Sequence, residues 1–104
     1  MKLNIDISVF IRSGGSFGHI SGTLELDMLP SVGDTISFVD ARNTTVPKPH
    51  AFLGLLRVED RVISAAGGAP VSLMLEDLYF DVAEDAQLTG RYLESGFGFA
   101  LHIH

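Results

Sequence analysis

The chain has 104 residues, of which 46% are hydrophobic, and a formal net charge of −6. This length predicts one domain spanning residues 1–104, and the apolar content suffices for a core and argues against disorder. The acidic balance, without a basic patch, argues against nucleic acid and anionic membranes as partners. A basic protein, a cation or another small molecule is a more suitable partner for an acidic chain. The alternative is that the charge only keeps the domain soluble.

The chain contains no cysteine, which excludes disulfides, thiolate nucleophiles and cysteine-ligated zinc. Its first residues alternate between polar and apolar types and do not form the apolar region of a signal peptide. No apolar run approaches the ~18 residues of a transmembrane helix. These features predict a reducing, cytoplasmic location, and no motif in the sequence requires a cofactor.

Two β-strands are predicted at the start of the chain, over residues 3–11 and 19–29. Both alternate between apolar and polar residues, which is the pattern of a strand with one buried face. The glycine-rich segment 12–18 joins them, so the three segments predict a hairpin. A turn over residues 29–34 leads into a short strand over residues 35–39.

The longest predicted connection, residues 40–51, is polar and contains Pro47 and Pro49, which disfavour a central strand. Residues 55–82 then predict one long β-hairpin, around which the other elements are organised. Its arms are rich in strand-forming residues, and two glycines and a proline in residues 67–70 mark the turn.

The register expected for this hairpin places Ala66 opposite Ser72. Arg61 then faces Asp77, and a slip of one residue would instead bring Asp60 against Asp77. One face of the hairpin is therefore predicted to be charged and the other to be buried. The apolar residues expected on the buried face are Leu56, Val58, Val62, Met74, Leu78, Phe80 and Val82.

A helix is predicted over residues 82–95, because acidic residues begin it and apolar residues four apart share one face. Gly96 is the expected residue after its last turn. A bulged strand is the alternative, since Gly90 weakens a helix by about 1 kcal/mol relative to Ala. Residues 97–103 predict a last strand. Together these elements predict a mostly β fold, a small antiparallel barrel or two-layer sandwich of about six strands with one short helix near the C-terminus.

Two histidines on the last strand, His102 and His104, form a candidate metal site. Residues two apart on a strand point the same way, so both imidazoles can share a cation such as zinc or nickel. Further ligands are available from His19, His50, Glu25 and Asp27. Since a site needs three or four ligands, solvated histidines are the alternative interpretation.

Two carboxylates, Asp60 and Glu76, fall on the predicted apolar face of the hairpin as diagonal neighbours. A carboxylate removed from water, next to a second one, retains its proton more readily, and this is how a general acid or base is formed. These residues are therefore candidate catalytic groups. The alternative is that burial ends here or that a β-bulge turns one side chain outward.

The glycine-rich segment 12–18 offers main-chain amides for an anion, but a strand follows it where phosphate-binding motifs require a helix. This hairpin tip and the 40–51 loop are better interpreted as contact surfaces for a ligand or partner. The contact residues predicted there are Arg12, Phe17, His19, Pro47 and His50.

Several apolar residues, such as Phe10 and Ile63, fall on faces predicted to be exposed. A second apolar surface suits a homodimer, unless the chain covers it with its own helix. The predicted function is a non-catalytic binding or interaction module, homodimeric, whose ligand the sequence does not specify. The alternative is a small enzyme of hydrolase or lyase type that uses the carboxylates or the histidines in a barrel mouth.

Overall fold

The computed structural model describes residues 1–41 and 44–104, so residues 42 and 43 of the predicted 40–51 loop lie outside the described residues. The elements are β1 (Lys2–Ile11), β2 (Gly15–Glu25), β3 (Thr35–Ser37), β4 (Leu55–Val62), β5 (Val71–Leu75), β6 (Leu78–Phe80), α1 (Ala83–Phe97) and β7 (Ala100–Ile103). The predicted mostly β fold with one short C-terminal helix is confirmed. The sheet is not closed into a barrel, so the sandwich-like alternative is the one that fits.

All seven strands belong to one sheet in the order β3-β4-β5-β1-β2-β7, and β6 continues along β1 beyond the end of β5. The central strand, β1, is antiparallel to β2 but parallel to both β5 and β6. These parallel pairings differ from the antiparallel arrangement that the sequence predicts. The reason is that a long connection separates β1 from β5, whereas only strands joined by a short turn must run antiparallel.

The predicted central hairpin forms between β4 and β5, in a register four residues away from the predicted one. Ser72 lies opposite Val62 and not opposite Ala66, so Arg61 has no acidic partner across the ladder. The connection is correspondingly long, and residues 63–70 are all exposed. Its two glycines adopt positive φ angles of 73° and 75°, as expected for a turn at this place.

The second arm of the hairpin is interrupted after Leu75, and only within β5 is its buried face the opposite of the predicted one. Leu56, Val58 and Phe80 are buried as predicted. Leu73 and Leu75 are buried, whereas Met74 is only partly buried. Glu76 causes the interruption, since its main-chain N–H donates to the Arg57 carbonyl oxygen over 2.9 Å and its carboxylate accepts the Arg57 N–H over 2.7 Å. A side chain takes a position in the ladder here, which a period-two pattern does not reveal.

The exposure of two further residues corrects the predicted buried face. Val62 and Val82 are 54% and 51% exposed, because they lie where the hairpin and the strand β6 end. Along β1 the prediction is confirmed, with every odd-numbered residue from Leu3 to Val9 buried. The core lies between this face of the sheet and α1. The helix packs closely on β7 at Gly90, where an added Cβ would stand 2.8 Å from Cδ2 of Leu101.

The helix prediction is confirmed over the alternative of a bulged strand. α1 extends to Phe97, two residues further than predicted, because Gly98 and not Gly96 adopts the left-handed conformation that ends it, with a φ of 74°. Tyr92 of α1 attaches the helix to the chain after β3, since its hydroxyl donates to two main-chain carbonyl oxygens there. Among the described residues, no helix is long and apolar enough to cross a membrane.

Candidate functional site

The helix covers one face of the sheet, and the other face, called the open face, is lined mainly by polar side chains. The open face consists of Asn4, Asp6, Ser8 and Phe10 of β1 and of the residues opposite them on neighbouring strands. Side chains alternate between the two faces of a sheet, so every second residue of β2 and β7 joins this surface. Three of the four histidines of the chain meet there.

The histidine cluster comprises Ser16 and His19 of β2, His102 of β7, and His104 after it. His19 lies directly opposite His102 in the antiparallel ladder, and their rings stack with centroids 4.8 Å apart. Nδ1 of His19 is 3.1 Å from Nε2 of His104, whose Nδ1 is 3.1 Å from the Ser16 hydroxyl oxygen. His19 thus joins the two histidines that the sequence assigns to a metal site.

The contact between His19 and His104 is a hydrogen bond in which one ring donates and the other accepts. Two imidazole nitrogens form a hydrogen bond only when one carries a proton and the other does not. The same two nitrogens have a spacing near the ~3.3 Å expected for two ligands of a tetrahedral zinc ion. Within residues 1–41 and 44–104, however, no group of three His, Cys, Asp or Glu side chains is placed to hold a metal ion. The ring of His102 stacks on His19, and the nitrogen contact is made by His104 instead. Metal binding at His102 and His104 therefore stays a prediction.

The other ligands proposed from the sequence lie elsewhere. His50 lines a groove that Asp85 of α1 also lines. Glu25 accepts a hydrogen bond from the N-terminal ammonium of Met1 over 3.0 Å. Asp27 lines a cavity of about 620 Å³ with residues around the turn that follows β2. None of these three side chains joins a group of three or more possible ligands within residues 1–41 and 44–104.

The contact residues predicted from the sequence occupy two separate places. Arg12, at the β1–β2 tip, pairs with Asp81 over 2.6 Å, and both side chains are exposed. Phe17 packs against the core, and its carbonyl oxygen accepts the main-chain N–H of His104 over 2.9 Å. Pro47 and His50 line a different groove, next to α1. The structure therefore brings His19 to the histidine cluster and leaves the 40–51 loop apart from it.

The two candidate catalytic carboxylates are not on a buried face. Asp60 is exposed, because an irregularity in the β4–β5 ladder turns this part of β4 outward. Glu76 is bonded to the main chain of Arg57. The side-chain hydrogen bond to Glu59, followed by the charges of Glu59 and Glu76, raises the pKa of the Arg57 guanidinium. The predicted burial of Asp60 is therefore wrong, and with it the physical reason for proton sharing with Glu76.

Asp60 instead belongs to an acidic cavity that no short sequence motif indicates. Asp6, Glu59, Asp60 and Asp77 line this cavity, whose volume is about 360 Å³. Oδ1 of Asp6 is buried and has no hydrogen-bond partner among the described residues. The four carboxylates come from three segments of the chain, since Glu59 and Asp60 are neighbours on β4, so only the pairing of β4, β5 and β1 brings them together.

Comparison with known protein families, curated proteins and solved structures finds no match. The arrangement of the histidine cluster and of the strand that carries it is the basis for a functional interpretation. From the sequence, the spacing of His102 and His104 indicates half of this cluster. His19 could be added only with the knowledge that β7 pairs with β2, which no local pattern supplies.

Proposed function

We propose that the chain is a non-catalytic binding module that acts as a homodimer, joined through the free edge of β7. The observation that carries this proposal is that β7 pairs with β2 on one side, and no strand among the described residues lies on its other side. An edge strand presents unpaired N–H and C=O groups and is a ready template for another strand.

The main-chain groups that point to this free edge follow from the ladder with β2. His104 donates its main-chain N–H to the Phe17 carbonyl oxygen. Alternate residues of a strand direct their main-chain groups to the same side, so those of His102 also face β2. The N–H and C=O groups of Leu101 and Ile103 therefore face away from the sheet.

These two residues allow a self-complementary pairing with a second copy. In an antiparallel arrangement, Leu101 of each copy exchanges hydrogen bonds with Ile103 of the other, giving about four bonds around a two-fold axis at His102. Natural edge strands carry proline, lysine or other charged residues, which prevent such pairing. The sequence of β7, Ala-Leu-His-Ile, contains none of these, and Ile103 is 56% exposed.

The catalytic alternative, a small enzyme of hydrolase or lyase type, has weaker support. Asp60 and Glu76 lack the burial that would tune them, and the histidine cluster lies on an exposed strand surface. The net charge of −6 favours a basic protein or a small cationic molecule as the further partner and disfavours nucleic acid and anionic membranes. A cytoplasmic location is proposed because the chain carries no cysteine.

The test is the molar mass of the chain in solution at micromolar concentration, measured by size-exclusion chromatography with light scattering. A dimer has twice the 11.2 kDa of one chain. Ile103→Pro removes an N–H that points to the free edge and keeps the bonds to β2, so this variant should be monomeric with an unchanged circular dichroism spectrum. Ile103→Thr keeps that N–H and is the matched control, expected to remain dimeric. A wild-type mass of 11.2 kDa, or a dimeric Ile103→Pro variant, would contradict the proposal.

A further inference from the structure

We propose that the open face binds an extended, arginine-bearing segment of a basic protein, across the acidic cavity and an aromatic pair formed by Phe10 and Tyr79. This inference rests on the part of the proposed function that makes the chain a binding module with a basic partner. It does not depend on the dimer, because the strands β4, β5, β6 and β1 carry these residues and β7 lies two strands beyond β1.

The cavity is built across three neighbouring strands. Met74 of β5 lies opposite Asp6 of β1 on one side and opposite Asp60 of β4 on the other, so all three side chains project from the open face. Neighbouring strands are about 4.8 Å apart, which sets the Cα atoms of the two aspartates about 10 Å apart. Met74 offers an apolar surface between them, on which an arginine can lay its alkyl stem while its charged end reaches a carboxylate.

The carboxylates of the cavity favour a cationic group that donates hydrogen bonds. Among residues 1–41 and 44–104, Glu59 is the one lining carboxylate that has a positive partner, Arg57, at 2.9 Å. Oδ1 of Asp6 is buried, and no donor within the same residues reaches it. A guanidinium is planar and always charged, and its five N–H groups can bond to carboxylates that lie on different strands. An arginine of a partner therefore fits this cavity by charge and by hydrogen bonding.

An aromatic surface lies beside the cavity on the same face. Phe10 of β1 lies opposite Tyr79 of β6, and their rings stack with centroids 5.1 Å apart and an angle of 18° between their planes. Tyr79 is 53% exposed, although large aromatic side chains are usually covered. The face of such a ring attracts a guanidinium, which also stacks on it. A second arginine of the partner therefore has a place next to the first.

The spacing of the cavity and the aromatic pair suits an extended segment. Asp6, Ser8 and Phe10 occupy successive positions of β1 on the open face, about 7 Å apart. Side chains two residues apart in an extended peptide point the same way at about the same spacing. One arginine can thus enter the cavity while another, two residues away, stacks on Phe10 and Tyr79. The net charge of −6 attracts such a segment before it docks.

The experiment titrates the ¹⁵N-labelled full chain with a blocked hexapeptide of alternating serine and arginine and follows the main-chain amide signals by NMR. Salt at about 0.15 M screens attraction between distant charges. We expect saturable binding tighter than about 1 mM, with the largest shifts around the acidic cavity and the aromatic pair. The same peptide with citrulline, which keeps the shape of arginine without its charge, should bind at least about tenfold more weakly.

Two pairs of variants separate this site from general attraction by the net charge. Asp6→Asn and Asp27→Asn each remove one negative charge, but Asp27 lines a different cavity. Asp6→Asn should weaken binding about tenfold and Asp27→Asn less than about twofold. Tyr79→Leu removes the ring and should weaken binding about two- to fivefold, whereas Tyr79→Phe keeps the ring and should bind like the wild type. Circular dichroism checks that each variant is folded.

The outcomes separate this inference from the proposed homodimer. The inference is overturned by a lack of saturable binding, by shifts on another surface, by equal weakening in Asp6→Asn and Asp27→Asn, or by a citrulline peptide that binds as well as the arginine peptide. If Asp6→Asn does not fold, Asp60→Asn, at an exposed position of β4, must show the weakening. None of these results changes the molar mass that tests the homodimer. Conversely, the Ile103→Pro variant should bind the peptide with wild-type affinity, and a monomeric wild type that binds it supports the site and overturns the homodimer.

Discussion

The substitution Gly18→Ala tests whether β7 is packed against β2 as closely as the structure indicates. Gly18 lies opposite Ile103, and a Cβ at this position would be 2.2 Å from the carbonyl oxygen of His102 and 3.1 Å from Cα of Ile103. Both contacts are with main-chain atoms, so no side-chain rotation relieves them. The strand β7 would have to move by about 1 Å to restore van der Waals distances.

The expected destabilisation combines two terms. Overpacking in a close-packed region destabilises by about 1–3 kcal/mol. Displacement of β7 also weakens ladder hydrogen bonds, such as the one from His104 to Phe17, at about 1 kcal/mol each. We therefore expect a loss of about 2–4 kcal/mol, which lowers the Tm of a domain of this size by about 10–25 °C.

The assay is thermal unfolding followed by circular dichroism, with Gly14→Ala as the matched control. Gly14 lies in the β1–β2 turn with a negative φ, and its added Cβ would stand 4.0 Å from Ile11 Cβ, an ordinary contact. Its Tm should stay the same or rise slightly, because alanine restricts the unfolded chain. A Gly18→Ala variant whose Tm lies within about 3 °C of the wild type would refute the close packing of β2 and β7.

Three further predictions concern the aromatic core, the acidic cavity and the histidine cluster. Tyr92→Phe removes a hydroxyl that serves two main-chain carbonyl oxygens, and urea unfolding should show a loss of about 1–2 kcal/mol; an unchanged midpoint would argue against these hydrogen bonds. Asp6→Asn removes one of four carboxylates from the acidic cavity and should raise the urea midpoint at pH 7, by about 0.5–1 kcal/mol in free energy; a lower midpoint would contradict this. Zn²⁺ should bind the wild type more tightly than millimolar in isothermal titration calorimetry, and His104→Ala but not His50→Ala should abolish this binding, since His104 supplies one of two converged nitrogens.

The arrangement of charges in the hairpin shows where reasoning from the sequence stops. Opposite charges in its two arms predict a register that pairs Arg61 with Asp77, yet Ser72 lies opposite Val62. The carboxylate of Glu76 bonds to the main chain of β4 and interrupts the second arm. An exposed pair of opposite charges contributes at most about 1 kcal/mol, too little to decide a register by itself. The burial of Leu75 follows from the irregularity after Val58, which places Leu75 opposite this buried residue.

The sequence by itself determined the elements whose information is local. The alternation along β1 identifies a strand and its buried face, and the acidic start of α1 with its changed period identifies a helix. Both patterns arise from how one segment exposes its side chains to a core, so a single stretch of residues carries them.

Only the tertiary structure decided which strands far apart in the chain are neighbours. The parallel pairing of β1 with β5, the acidic cavity around Asp6 and the meeting of His19 with His102 all join segments far apart in the chain. The free energy of such contacts comes from packing in the whole sheet, and strands with the same period-two pattern can pair in several orders. The spacing of His102 and His104 was therefore visible at once, whereas their histidine partner on β2 was not.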